Sequence, residues 1–266
     1  AEAGFSSCPV SSTGKKVRER PKSFGDHYSQ AIQFYNSQTK IEKEHIASAL
    51  IFELSKVEKD DIHSRMVAHL LNIDKDLAKQ VAHGLGMEEM PEKAKAFKKP
   101  KKDLPVSDAL SILKNGPHTF RHRKLGVLLT DGVDSKLLNL IKERVLKEGA
   151  EMEIVAPTIN GTRDSKGNKI EAEHRIEGGP SVLFDAVIIL SSQKEVSKLN
   201  SNPAARDFLS DAWAHKKFIA YNSDSLPFLE KVGVEASASG LFELNDAGNV
   251  LQFLKECGKL RAWDRN

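Results

Sequence analysis

The sequence holds only two cysteines in 266 residues, Cys8 and Cys257, one near each end. That excludes a disulfide framework and the paired thiols of a zinc site, so reduced thiols are expected and the fold must rest on an apolar core. Long apolar runs are scarce too. Stretches such as Ala186 to Leu190 fall far short of the roughly 20 residues that span a bilayer, so no transmembrane segment is expected. Residues 1–13 lack the charged start and continuous apolar stretch of a secretion signal, which leaves the compartment open. No charge of one sign dominates: 40 basic residues face 37 acidic ones, for a net +3, and this balance argues against a surface built mainly for nucleic acid or anionic membrane. Neither G-x-G-x-x-G nor a Walker loop occurs, so no recognisable nucleotide cradle is present.

What is present falls into four stretches. Residues 1–36 are rich in Ser, Lys and Arg without sustained period and read as an extended arm, although Phe24, Tyr28, Phe34 and Tyr35 need something to pack against. Residues 37–87 are helical. Thr39-Lys40-Ile41-Glu42 fits a capping box, and Ile46, Leu50, Leu54 and Val57 recur at helical spacing. Ile62, Met66, Leu70 and Ile73 repeat the offsets, and Asp74 caps a third helix carrying Leu77, Ala78, Val81 and Ala82 up to Gly84. Residues 88–121, with Pro91, Pro100, Pro105 and Pro117 among lysines 93, 95, 98, 99, 101 and 102, read as a solvated linker; without an aromatic platform among the charges, nucleic-acid binding is disfavoured.

From residue 122 to the end, strand and helix alternate. Leu125 to Leu129 is a buried strand, Leu137 to Leu146 a helix stopped by Gly149, and Met152 to Val155 the next strand. Lys166-Gly167-Asn168 marks a hairpin inserted between Thr158 and Ile176. Ala186 to Leu190 resumes the sheet, Asn202-Pro203 opens a helix with Phe208, Leu209, Ala212 and Trp213 on its buried side, and Phe218 to Tyr221 is the fourth core strand. Helices at Leu226 to Lys231 and Ala247 to Cys257 close the fold. Such units predict an α/β domain with a parallel sheet between helices, preceded by a small all-α segment.

Two stretches, Lys16-Val17-Arg18 with Ser23-Phe24-Gly25-Asp26-His27-Tyr28-Ser29-Gln30-Ala31 and Phe34-Tyr35-Asn36-Ser37-Gln38, resemble large-subunit haem catalases. Glu42 to Ile46 and Phe52 to Val57 are similar to the helical segment that follows the catalase β-barrel. From Lys124 to the end the chain looks like the flavodoxin-like extension of those enzymes, which itself resembles the class I glutamine amidotransferase-like superfamily. The resemblance implies a parent that decomposes hydrogen peroxide on a haem carried by an upstream barrel. It asks for an arginine four residues before the tyrosine ligand, whereas Phe24, Ala31 and Lys217 hold that offset from Tyr28, Tyr35 and Tyr221. No haem is therefore expected in this chain.

The superfamily resemblance places a nucleophile after Phe218-Ile219-Ala220-Tyr221, at Asn222 or at Ser223 if the alignment slips. Neither is a cysteine, and an amide forms no covalent intermediate of that kind. The acidic partner of some relatives falls near Leu137, with Asp131 and Asp134 keeping carboxylates in that loop. Ser223 with Asp224 and His215 is the alternative hydrolase set, and flavin at the strand ends an expectation from fold analogy alone. His118 and His122 are read as surface histidines. The expected role is thus a non-catalytic, cofactor-free and metal-free region that stabilises its parent through the barrel and other subunits; holding unfolding client proteins is the alternative, and a cryptic amidotransferase- or hydrolase-like activity comes third.

Overall fold

The computed structural model describes residues 7, 9–11 and 13–265; Cys8 lies outside the described residues. The chain divides into two compact units, residues 1–115 and 116–266.

The first unit is helical: α1 (Ser29–Ser37), α2 (Lys40–Leu54), α3 (Asp60–Leu70), α4 (Lys75–Gly84) and the single turn α5 (Ile112–Asn115). The capping box forms as read, with Thr39 accepting from the Glu42 N–H and the Glu42 carboxylate accepting from the Thr39 N–H. Asp74 likewise receives the N–H groups of Asp76 and Leu77 at the start of α4. Leu54, Val67, Leu70, Leu77, Ala78 and Val81 pack at the centre with Tyr35.

Two expectations are corrected here. The stretch read as an arm contains α1, because Tyr28, Ile32 and Tyr35 fall on one face at i, i+4 and i+7 and are buried together. The Tyr28 hydroxyl is hydrogen-bonded to His69 Nδ1 at 2.7 Å. That apolar period is carried by two aromatic rings and a single aliphatic side chain, so it is short and easily missed.

The lysine-rich stretch is not a free linker either. The Ala94 N–H donates to the Ala68 carbonyl, and Asn72 Nδ2 donates to the Ala94 carbonyl at 2.9 Å. Further on, the Lys101 N–H donates to Ser29 Oγ, Gln33 Nε2 to the Pro105 carbonyl, the Ser107 N–H to Ser37 Oγ and Gln38 Nε2 to the Leu110 carbonyl. Residues 94–113 thus form a strap bound to the helices by its own backbone groups, which is how an irregular segment rich in proline meets its hydrogen-bonding needs. An aromatic ring also stands among the lysines: Phe97 is 84% exposed.

The second unit runs β1 (Lys124–Leu129), α6 (Ser135–Glu148), β2 (Glu151–Ala156), β3 (Thr162–Arg163), β4 (Lys169–Ile170), β5 (His174–Arg175), β6 (Ala186–Leu190), α7 (Val196–Ser201), α8 (Pro203–Ala214), β7 (Ile219–Tyr221), α9 (Leu226–Val232), β8 (Leu241–Glu243) and α10 (Ala247–Cys257). Six strands pair in the order β5-β2-β1-β6-β7-β8, all parallel. With β5 as an added edge, this is the flavodoxin-like order, whose reversal point lies between β1 and β6. α6 and α10 pack on one face, and α7, α8 and α9 on the other. The inserted hairpin is β3–β4. β5, β8 and α7, which sequence periodicity does not reveal, are two, three and six residues long.

Two glycines have clear structural reasons. Gly149 takes φ 74° to end α6, and a Cβ on Gly126 in β1 would fall 2.3 Å from the Phe184 ring, which fills that space instead.

Candidate functional site

In a parallel sheet of this order a site belongs at the carboxyl ends of the strands, where β1, β6 and β7 deliver residues 130–134, 191–192 and 222–225. Asn222 follows β7 and precedes a tight turn, Ser223–Ser225, that leads into α9. A nucleophile elbow holds its residue in a strained turn. Asn222 instead has φ −91° and ψ 158°, ordinary extended backbone.

Both ends of the Asn222 amide are engaged. Oδ1 accepts the Ser191 N–H at 3.1 Å and the Ser225 hydroxyl at 2.5 Å, while Nδ2 donates to the Ser191 carbonyl at 2.8 Å. The Ser191 N–H also reaches Ser225 Oγ at 2.9 Å, and both serines are completely buried. These contacts tie the ends of β6 and β7 together with neutral groups.

The neighbouring crevice between β1 and β6 is laced in the same way. Ser192 Oγ donates to the Asp131 carbonyl at 2.7 Å, and a Cβ on Gly132 would stand 3.1 Å from the Ser192 side chain. Asp131 Oδ1 accepts the Arg163 N–H at 2.7 Å and Asp134 caps α6 through the Lys136 N–H, so both carboxylates serve the backbone. Ser223, Asp224 and His215 are exposed, but His215 precedes β7 and Ser223 follows it. At about 3.3 Å per extended residue the strand itself separates imidazole from hydroxyl, and no hydrolase set assembles.

The opposite end of the sheet carries the charges that sequence reasoning missed. Lys217, only 3% exposed, directs Nζ to the carbonyls of Ser181 and, at 2.6 Å, Phe184. Burial, with Arg261 nearby, pulls its pKa down to about 8. Arg265, equally buried, donates to the carbonyls of Ser239 and Lys217 and lies over the Trp213 ring; burial lowers it to about 10. Each cation is used to satisfy loop carbonyls. Nothing in the spacing of Lys217 or Arg265 distinguishes them from surface residues.

Burial raises the pKa of both Tyr35 and Tyr221, and the Tyr28 hydroxyl is engaged by His69. His118 and His122 are exposed, and among the described residues no three metal-binding side chains converge. Cys257 is buried and its thiol pKa lies well above the usual value because of that burial. Among the described residues no helix is long and apolar enough to cross a membrane.

Comparison with known proteins adds the context. Residues 21–85 match a family described as catalase-related immune-responsive, and residues 121–266 match the C-terminal domain found in long catalases. Catalase C of Rhizobium meliloti (strain 1021) is 50% identical over 98% of this chain and 37% of its own length. Catalase-2 of Bacillus subtilis (strain 168) is 31% identical over 99% of this chain and 38% of its own, and Catalase-B of Dictyostelium discoideum is 31% identical over the same shares. The chain therefore spans little more than a third of the length of these relatives.

Proposed function

The chain belongs to the family of long-catalase C-terminal domains, and on that premise we propose that it is a non-catalytic region stabilising a parent haem enzyme that decomposes hydrogen peroxide. The observation that carries this reading is the state of Asn222: the position where the amidotransferase resemblance asks for a nucleophile holds an amide engaged with Ser191 and Ser225. Its partners would be the upstream barrel and other subunits of the parent. A covered surface of ordinary interface size, on the order of 1,600 Å² in total, is enough to hold such a region in place.

The test compares Catalase C of Rhizobium meliloti, a chimera carrying this chain in place of the matching region, and a version lacking that region. The chimera is expected to keep its activity several-fold longer at elevated temperature than the deleted enzyme. Equal half-lives would refute the stabilising role. A second reading, retention of unfolding client proteins, is favoured only by the exposed rings Phe24 and Phe97. It predicts suppressed light scattering of a heat-denatured protein at near-equimolar ratio, and unchanged scattering removes it.

A further inference from the structure

On the first unit a cleft of about 680 Å³ opens where residues 20–27, ahead of α1, meet Phe97 and Lys98 of the strap. Its floor is Pro21, Phe24, Gly25 and Phe97. Phe24 is 65% exposed and Phe97 more so. A Cβ on Gly25 would stand 2.4 Å from the Phe97 ring, so the ring rests against bare glycine backbone with its other side to solvent. The Arg20 guanidinium sits 5.6 Å from the Phe24 ring centroid, and Lys22 and Lys98 complete the rim.

No carboxylate lines this cleft among the described residues. Asp26, the acid beside it, is taken up by the hydroxyl and N–H of Ser29. A second cleft of about 580 Å³ along the same strap is lined by four lysines and a single acid, Asp103, and extends the positive surface.

Aromatic rings beside arginine are what interface centres are made of, and leaving two of them in water is unfavourable. A cation-only rim also decides the occupant. A second copy meeting this face symmetrically would set like charges against each other. The complement is an acidic polypeptide segment carrying apolar side chains. We propose that this cleft docks such a segment from the upstream part of the long-catalase polypeptide. The proposal rests on the stabilising role given above and names the surface through which it acts.

The isolated chain tests the chemistry with 8-anilinonaphthalene-1-sulfonate, an aromatic anion, as probe. Saturable binding is expected, weakened at least 10-fold by Phe97→Ser or by Arg20→Glu with Lys98→Glu, reduced several-fold in 0.5 M salt, and reversed by a synthetic Glu/Phe peptide. Absence of a saturable site, or binding indifferent to these substitutions, overturns the proposal, as does displacement by oligodeoxythymidine but not by the peptide. In the chimera, the same substitutions are expected to shorten the thermal half-life at least 3-fold. If the chimera is stabilised over the deleted enzyme and the substitutions change nothing, the docking surface fails alone; if the chimera is not stabilised at all, the stabilising role fails first.

Discussion

In residues 116–266 the large buried side chains, Phe208, Phe228 and Phe253 among them, belong to two apolar layers of sixteen and twenty-one residues on either face of a parallel sheet. In residues 1–115 the corresponding cluster has nine among the described residues, and Ala47, Ala78 and Ala82 supply three of them. The smaller unit makes up the difference with directed polar contacts, chiefly the strap hydrogen bonds and the Glu42 carboxylate. One region is ordered by area removed from water and the other by the placement of donors and acceptors, so the two should fail differently.

The largest effect is expected where area dominates. Phe228→Ala empties a site with no solvent exposure, and a loss of about 3–5 kcal/mol follows for such truncations. Both tryptophans, Trp213 and Trp263, lie in the second unit, so their fluorescence reports it selectively. The denaturation midpoint should fall sharply by fluorescence. A shift under 1 kcal/mol would mean that this core is not what holds the unit.

Lys217 provides the next test, because it is one of the places where the apolar unit tolerates a charge. Its folded pKa of about 8 lies below the ordinary lysine value of 10.5, so the unfolded chain holds the extra proton between those limits. The penalty is present in full below pH 8, and stability should rise with pH from about 8 to 10.5 by up to about 3 kcal/mol from this group. Lys217→Met removes that rise, and the measurement is the difference in midpoint between the two proteins across that range. Parallel pH profiles would show that the amine is not desolvated as the structure implies.

At the strand ends, Asn222→Ala removes the side-chain donor to the Ser191 carbonyl and one acceptor each of the Ser191 N–H and the Ser225 hydroxyl, and should cost about 1–3 kcal/mol by fluorescence-monitored unfolding. Ser223→Ala, one residue on but exposed, should be neutral. Equal effects would break the distinction between a structural knot and an ordinary loop.

The same contrast explains what was legible in the sequence. The α/β unit declares itself because buried strands and helices repeat apolar residues at their own periods, and because Gly149 and Asn202-Pro203 mark helix ends chemically. β5 and β8 escape because strands of two or three residues have no period to show. The strap escapes for a deeper reason. Its order comes from contacts about 70 residues apart, such as Lys101 with Ser29 and Ser111 with Glu42, while its composition of lysine and proline is that of a free linker. At the candidate site, sequence alone could name Asn222 as the wrong residue for a nucleophile, but not that its amide was already occupied.

Glu42 gives the smallest expected effect and the most specific one, because a single carboxylate serves both the cap of α2 and the end of the strap. Burial pushes its pKa up, but the N–H groups of Thr39 and Leu113 and the hydroxyls of Ser111 and Thr39 outweigh that and bring it to about 2. A carboxylate depressed on folding stabilises the native state above its unfolded value of 4.5, and the contribution is lost as pH falls from there through about 2. Glu42→Gln should therefore cost about 1–2 kcal/mol near neutral pH, allowing for solvent screening, and converge on the unsubstituted protein towards pH 2. Because Leu113 and Ser111 are released together, trypsin should cut after Lys114 faster in the variant, while tryptophan fluorescence of the other unit stays unchanged. Faster cleavage at Lys114 with an unmoved fluorescence midpoint is the pattern expected of a strap held by placed hydrogen bonds; a fluorescence shift of equal size would mean that the polar unit is not held in its own way.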